Sequence, residues 1–170
     1  MKRTHLLLTI LLLLTHLTMN AQSLKGTHWT ARKTGDHYIL SVADQSSILD
    51  ALTDLVTAQR ISAGEITGIG ALNEATLRFF DPATKKYVDK TFSEQLEMSN
   101  LSGNISISEG RPLLHLHATL GRRDYTALAG LLQDGKIRGA GEFFVYPLNT
   151  RVVKVKNEAV GLNFYDLDQQ

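Results

Sequence analysis

The sequence predicts a single α+β domain in which a largely antiparallel sheet packs against one main helix. Three observations support this class. Residues 46–60 have the apolar periodicity of an amphipathic helix. Almost everything after that helix has the composition of strands separated by turn residues. The sequence contains no internal repeat, low-complexity tract or linker, so one compact domain is the economical architecture.

The N-terminal residues 1–21 have the pattern of a secretory signal peptide. Two basic residues open the segment, residues 6–14 form an apolar core, and Ala21 offers a small side chain for cleavage before Gln22. The apolar core is nearer to the ~10 residues of a signal peptide than to the ~20 that span a bilayer. We therefore expect export to the periplasm or beyond, with residues 22–170 as one mature domain.

Charge and cysteine content restrict the partners of the mature domain. The full chain has 18 basic and 17 acidic residues, a formal net charge of +1. Because Lys2 and Arg3 leave with the signal peptide, 16 basic residues remain against 17 acidic ones, a formal charge of −1. That balance removes any whole-surface attraction to nucleic acid. With no cysteine in the chain, stability must come from packing or assembly rather than from disulfides.

The first elements after the leader are a strand over residues 38–42 and the helix over residues 46–60. Ser47 stands three residues before Asp50, an arrangement typical of a helix N-cap, and the aspartate suits the positive end of the helix dipole. One face of the helix is apolar, formed by Ile48, Leu49, Leu52, Leu55 and Val56. This face needs a partner, and a sheet is the obvious one.

Five strand segments are predicted from Ile66 onward. They read ITGIGALNEATLRFFD, YVDKTF, QLEMSNLSGNISIS, LLHLHATL and GEFFVYPL. Turn residues separate them at Asp81-Pro82, Ser93-Glu94, Glu109-Gly110 and Gly121. Residues 125–132 are compatible with a short helix or with an irregular connection. Residues 152–155 and 162–165 add two short strands near the C-terminus.

Two glycine motifs have structural explanations that outweigh functional ones. Gly68 and Gly70 resemble the start of a dinucleotide-binding fingerprint, but Asn73 stands at the third glycine position and the segment continues as strand. We expect these glycines to allow a bulge or a close backbone approach. The tripeptide at residues 110–112, Gly-Arg-Pro, is the centre of a minor-groove hook, but it lacks the basic flanks. It is predicted to be a turn that enters a strand.

His115 and His117 are the candidate site residues. Since side chains alternate along a strand, both imidazoles are expected on one face, where they supply two of the three protein ligands of an open zinc site. The alternative is a hydrogen-bonded pair at a sheet surface or subunit interface. Candidates for a third ligand are Glu97 and Glu142 on neighbouring strands, and the remaining mature histidines His28 and His37.

Catalysis by a side-chain nucleophile has no support in the sequence. The chain has no cysteine, no G-x-S-x-G motif, and no serine in a familiar order with histidine and aspartate. A hydrolase triad is therefore excluded, and a binding role is favoured over an enzymatic one.

Several segments, in order and with family-like spacing, resemble the plants-and-prokaryotes-conserved (PPC) domain. They are Gly68-Ile69-Gly70-Ala71-Leu72, Leu101-Ser102-Gly103-Asn104 and Leu114-His115-Leu116-His117-Ala118, with GRPLL before the last and GEFFVY after it. The resemblance extends from about Gly35 to Leu167. It implies one α+β domain that assembles as a homotrimer. In plants such domains accompany DNA-binding hooks, and many bacterial relatives carry an inferred DNA-binding label.

Two departures from the family pattern change what the resemblance implies. In many prokaryotic relatives a Gly-Gly-His completes a three-histidine cluster suited to a metal, whereas this chain has Ala129-Gly130-Leu131. A leucine offers no lone pair, so a divalent metal such as zinc becomes less favoured. The second departure is the predicted signal peptide together with the missing hook, since an exported protein does not regulate a chromosome.

The sequence thus favours an exported homotrimer that binds a small ligand, a glycan or a protein partner without catalysis. One alternative is a metal-dependent enzyme, with His115 and His117 as ligands and Glu97 or Glu142 as third ligand or base. The other is nucleic-acid binding through a local basic patch that a trimer would bring together threefold. The patch residues are Arg122, Arg123, Lys136 and Arg138.

Overall fold

The computed structural model describes residues 23–169, which form ten strands and one helix. The predicted signal peptide and its cleavage point lie outside these residues. The elements are β1 (Ser23–Lys25), β2 (Trp29–Thr34), β3 (His37–Val42), α1 (Ile48–Ala58), β4 (Gly64–Asp81), β5 (Lys86–Phe92), β6 (Leu96–Ser108), β7 (Arg111–Gly121), β8 (Ala127–Pro147), β9 (Val153–Asn157) and β10 (Leu162–Asp166). The domain is mostly β, so α+β describes it only in broad terms.

Helix α1 begins where its capping residue predicts. The Ser47 hydroxyl accepts a hydrogen bond from the Asp50 amide at 3.0 Å and donates one to Asp134 of β8 at 2.9 Å. Asp134 also accepts from the amide of Leu49 at 3.1 Å, so the helix start is attached to the sheet. Four of the five predicted apolar residues, Ile48, Leu52, Leu55 and Val56, are buried, whereas Leu49 is partly buried and Ala51 joins the buried face. Within residues 23–169, no helix is long and apolar enough to cross a membrane.

One sheet contains all ten strands, in the order β1-β2-β3-β8-β4-β6-β9-β10, with β5 beside β4 and β7 between β6 and β8. The sheet curls because β8 is long enough to pair with β7 through its first residues and with β3 through its last. All described pairings are antiparallel except the short contact of β6 with β9. The helix packs against β7 and β8, and the core lies between the helix and the concave sheet.

The expectation of a short helix or irregular connection over residues 125–132 is wrong. These residues form a turn and then the start of β8, which pairs with β7 from Gly121↔Ala127 to His117↔Leu131. The turn is held by the Arg122 amide, which donates to the Thr126 carbonyl at 2.8 Å. Local composition suits helix and strand equally here, so the free edge of β7 decides the conformation.

Gly68 and Gly70 serve the close approach that the sequence predicts. The register of β4 against β6 shifts between them, which is a bulge. A Cβ atom on Gly68 would overlap the ring of Phe143, and one on Gly70 would lie 2.6 Å from the Ala140 carbonyl oxygen. The predicted turn at Gly-Arg-Pro is also present, since Gly110 has φ 77° and β7 begins at Arg111.

A Gly70→Ala substitution is expected to lower the free energy of unfolding by about 1–3 kcal/mol, because the new methyl group meets backbone atoms that cannot move aside cheaply. Gly121→Ala is the matched control, since a Cβ atom there has its nearest neighbour at 3.6 Å and fits without strain. Urea unfolding of both variants measures the difference. Equal effects of the two substitutions would contradict this explanation of Gly70.

Candidate functional site

His115 and His117 lie on one face of β7, as the strand period predicts. Their Nε2 atoms are 3.3 Å apart and their ring centroids 5.2 Å apart. On the neighbouring strand β6, Asn104 pairs with His115 and Ser102 pairs with His117. Directly paired residues of an antiparallel sheet share a face, so the four polar side chains form one surface. His117 is exposed on this surface and His115 is half-buried.

Lys154 of β9 completes the cluster. Its Nζ atom donates to Asn104 Oδ1 at 3.1 Å and lies 3.4 Å from His115 Nδ1. It also lies 4.7 Å from the centroid of the Tyr165 ring. Lys154 is only 7% exposed, because β9 joins β6 at the pair Ile107↔Val153 and brings the lysine inward. We name His115, His117, Lys154, Asn104 and Ser102 the His–Lys cluster.

Lys154 is not recognisable as a site residue from the sequence, because its position depends on a pairing between strands distant in the chain. The tail segment was predicted as a strand, but its partner was not. A single lysine between valines in a strand is the local signal, and it is weak because such lysines usually face solvent.

The electrostatics of the cluster follow from burial. Burial lowers the pKa of Lys154 and raises the pKa of Tyr165. The pKa of His115 is lowered mainly by burial, and further by the nearby charges of Lys154 and His117. His115 is therefore neutral at pH 7. Within residues 23–169, no carboxylate oxygen lies within 4.0 Å of the Lys154 ammonium group to offset its charge.

The hydrogen-bond directions are set by the ammonium group, which only donates. His115 Nδ1 must accept from Lys154, so the proton of the neutral ring is on Nε2. That Nε2–H group then donates to His117 Nε2. The chain of donors runs from the buried lysine to the exposed histidine.

The free energy of unfolding should reflect the buried charge of Lys154. Its pKa is lower in the folded than in the unfolded chain, whose ordinary value is 10.5, so the unfolded chain binds more protons between the two values. Stability of the wild type should therefore rise with pH through this interval. The Lys154→Met variant lacks that rise, so its stability relative to the wild type should fall from pH 7 to pH 10.

Urea unfolding at the two pH values, in buffer without phosphate or carboxylates, measures this change. Lys156→Met is the control, because Lys156 is 59% exposed and pairs with Glu158 at 3.0 Å. A stability difference between the Lys154→Met variant and the wild type that stays constant from pH 7 to pH 10 would contradict the buried charge.

A metal fits the two histidines only in part. The Nε2 separation of 3.3 Å matches the edge of a tetrahedral zinc site, about 3.3 Å for bonds of ~2.0–2.1 Å. A metal on His115 Nε2 would place the proton on Nδ1, facing the Lys154 ammonium group, donor against donor. Metal-bound histidines normally donate that proton to an oxygen atom. The Lys154 charge also repels a cation.

The described residues do not supply a third ligand. Leu131 pairs with His117 and places an alkyl group beside it. Glu97 pairs with Gly121, about 13 Å along the strand from His117 at ~3.3 Å per residue. Glu142 pairs with Ser41 of β3 and lies eleven positions beyond Leu131 in β8. Residues 23–169 contain no group of three His, Cys, Asp or Glu side chains suited to a metal, so the cluster does not fit one.

The four residues of the predicted basic patch are in two places within one chain. Arg122 and Arg123 are in the turn between β7 and β8, where Arg122 Nε donates to Glu94 at 3.1 Å. Lys136 and Arg138 lie in the middle of β8, and Arg138 is 3.9 Å from Asp44. Two of the four charges therefore face a carboxylate.

An exposed apolar surface on β3, β4 and β8 was also missed from the sequence. Ile39 of β3 pairs with Phe144 of β8, and Ile69 of β4 pairs with Glu142 of β8. Glu142 and Phe144 are two residues apart in β8 and point to the same side, so the three apolar side chains share one face. Ile39 is 45% exposed, Phe144 is 43% exposed and Ile69 is 54% exposed. A groove of about 420 Å³ runs over the surface between β2, β3 and β8. We name Ile39, Ile69 and Phe144 the apolar face.

The curled sheet with one helix defines a class of small single-domain proteins. The family model described as the Plants and Prokaryotes Conserved (PCC) domain matches residues 30–149. The chain belongs to this family, and the resemblance seen in its sequence is confirmed. No curated protein matches the chain.

Solved structures with the same fold come from bacteria and archaea. A "putative DNA-binding protein" from Bacteroides thetaiotaomicron is 46% identical, with a TM-score of 0.82, covering 84% of this chain and 99% of its own. A protein from Ralstonia eutropha with the same description is 27% identical (TM-score 0.76; 81% and 95% covered). A metal-containing protein from Archaeoglobus fulgidus is 29% identical (TM-score 0.73; 78% and 94% covered).

Proposed function

We propose that the protein is exported and works as a homotrimeric binding module without catalysis. The observation that carries this proposal is the apolar face on β3, β4 and β8. Burial of one Phe or Ile side chain contributes about 1.5–3 kcal/mol, so covering three of them gives association a substantial driving force. Contiguous exposed apolar surface of this kind is typical of protein interfaces.

The composition around the apolar face resembles the centre and rim of an interface. Phe144 stacks on Tyr146 with centroids 6.1 Å apart, and Tyr146 meets the edge of His37 at 4.8 Å, which extends the face with aromatic rings. Charged Arg32 and Glu142 line the adjoining groove. An apolar centre with a charged rim is the usual anatomy of a protein contact.

A trimer with cyclic symmetry needs two different complementary surfaces, because its contacts are head to tail. The hairpin of β4 and β5 offers the second surface. Phe79 and Val88 pair across this hairpin and are 70% and 58% exposed. We assign the hairpin of one subunit to the groove and apolar face of the next.

The absence of cysteine allows a direct test by engineered disulfides. A Phe79→Cys/Phe144→Cys double variant of the mature chain should form covalent dimers and trimers on mild oxidation, because each contact joins a hairpin to a groove. The two single variants are the controls and should stay uncrosslinked. Equal crosslinking of either single variant, or none in the double variant, would contradict the head-to-tail contact.

Export is tested by the N-terminus of the protein made by its host. Cleavage before Gln22 and recovery outside the cytoplasm are the expected results. Full-length protein found only in the cytoplasm would contradict this part of the proposal.

DNA binding is the alternative that the descriptions of two relatives suggest. The formal charge of −1 expected for the mature chain and the separation of the basic residues argue against it. A gel shift with duplex DNA at low salt should show no complex. A complex whose affinity falls steeply with salt would favour DNA binding instead.

A further inference from the structure

We propose that the His–Lys cluster binds a small oxyanion, such as the phosphate or carboxylate group of a solute. This inference rests on the proposed binding function and gives its ligand a chemical class.

The first support is the uncompensated positive charge of Lys154. The lysine is 7% exposed, and its nearest polar partners, Asn104 Oδ1 and His115 Nδ1, are neutral acceptors. The face of Tyr165 offers only the quadrupole of its ring. Buried charges in proteins are normally paired, so a lysine without a carboxylate lacks its counterion. A bound anion supplies it.

The second support is the set of donors around that charge. Since Asn104 Oδ1 accepts from Lys154, the amide Nδ2 group is directed elsewhere, and it has no protein acceptor within residues 23–169. His117 Nε2 is engaged with His115, whereas its Nδ1 atom has no protein partner within residues 23–169. Ser102 pairs with His117 on the same face and adds an exposed hydroxyl group. The Asn104 amide thus offers hydrogen atoms beside the cation, and the His117 and Ser102 side chains lie farther toward solvent on the same face.

The exposure of the side chains changes across the cluster. Lys154 is buried, His115 is half-buried, and His117 and Ser102 are exposed. The lysine is therefore the deepest member of the cluster, and His117 and Ser102 are the members in contact with solvent. Oxyanions accept several hydrogen bonds at once, and charge-assisted bonds of this kind are the stronger ones.

The C-terminal hairpin supplies the charged member of the cluster. The family match ends at residue 149, whereas Lys154 and Tyr165 belong to β9 and β10. The two histidines and Asn104 come from strands inside the match. The anion site therefore combines strands within the family match with a cation from the C-terminal hairpin that follows residue 149.

Isothermal titration with inorganic phosphate, and separately with acetate, tests the proposal on the mature protein in chloride buffer. Phosphate should bind at one site per chain, and Lys154→Met should weaken binding at least about tenfold. Lys156→Met is the matched control on the same strand and should bind within about twofold of the wild type. Acetate distinguishes a carboxylate ligand from one that needs the phosphate charge.

Asn104→Asp keeps the test decisive if Lys154→Met fails to fold. The new carboxylate would pair with Lys154 at the position of Asn104 Oδ1, so the variant should remain folded and lose phosphate binding. Equal loss in Lys156→Met, or no binding of either anion by the wild type, would overturn the anion site. Stoichiometric binding of zinc chloride that needs both histidines, without phosphate binding, would also overturn it.

The outcome is separable from that of the assembly proposal. A trimer that binds neither phosphate nor acetate removes the anion site and leaves the assembly intact. A monomer that still binds phosphate through Lys154 removes the assembly and leaves the anion site intact.

Discussion

Replacing Phe144 by aspartate is expected to convert the proposed trimer into a folded monomer. The side chain is 43% exposed in the single chain and is not part of the buried core, so the fold should tolerate the substitution. In the trimer the aspartate would be buried against apolar side chains without a partner, which costs several kcal/mol per contact. Three such contacts should abolish assembly at micromolar concentration. Light scattering after size-exclusion chromatography measures the mass, and circular dichroism measures the fold.

Tyr125→Asp is the matched control for this prediction. Tyr125 is 97% exposed in the turn between β7 and β8, so the same change of charge is made away from the apolar face. The Tyr125→Asp protein should remain trimeric. A Phe144→Asp protein that elutes as a trimer with unchanged stability would show that the apolar face is not the interface.

Replacing Phe143 by alanine is expected to lower the free energy of unfolding by about 3–5 kcal/mol. Phe143 is fully buried, and its ring packs against Gly68 and near Gly141. Gly68 and Gly141 have no side chains that could move into the cavity left by the ring. Urea unfolding in a Phe79→Asp background, which alters the other side of the proposed contact and leaves residue 144 free, measures the effect without a contribution from assembly.

Phe144→Ala is compared with Phe143→Ala because the residues are adjacent in β8 and point to opposite faces. In a monomer, the Phe144→Ala change should cost less than about 1 kcal/mol. Similar losses for the two alanine variants would contradict the assignment of one residue to the core and the other to the interface.

The parts of the fold that depend on local sequence were predictable. The helix over residues 48–58 is encoded by its apolar period and by the Ser47 cap, and both histidines of β7 share a face because side chains alternate along a strand. The role of Gly68 was also readable, since glycine inside a strand indicates a bulge or close approach. Each of these features is determined within a few residues.

The parts that depend on pairing between distant segments were not predictable. The sequence of residues 125–132 is compatible with a short helix or an irregular connection, because only the pairing with β7 makes the start of β8 a strand. Lys154 reaches His115 through a contact of β9 with β6 some 46 residues earlier, at the pair Ile107↔Val153. The pairing of two strands so far apart in the chain cannot be inferred from the apolar periodicity of either strand. The candidate site was therefore seen as a histidine pair, without the lysine that changes its chemistry.

The apolar face was missed for a related reason. Along β8 the residues Phe143, Phe144 and Val145 form an uninterrupted apolar run, which is compatible with burial on both sides. Only the register with β3 and β4 shows that Phe144 faces outward beside Ile39. The inner face of β8 at Phe143 is buried in the core of the same chain, whereas the outer face at Phe144 is left partly exposed.

Sedimentation equilibrium of the mature wild-type protein, residues 22–170, at several micromolar concentrations tests the proposed assembly most directly. The apolar face and the hairpin of β4 and β5 predict one species with three times the mass of the chain, without larger species, because a head-to-tail ring of three is closed. A single species with the mass of one chain across this range would contradict the account.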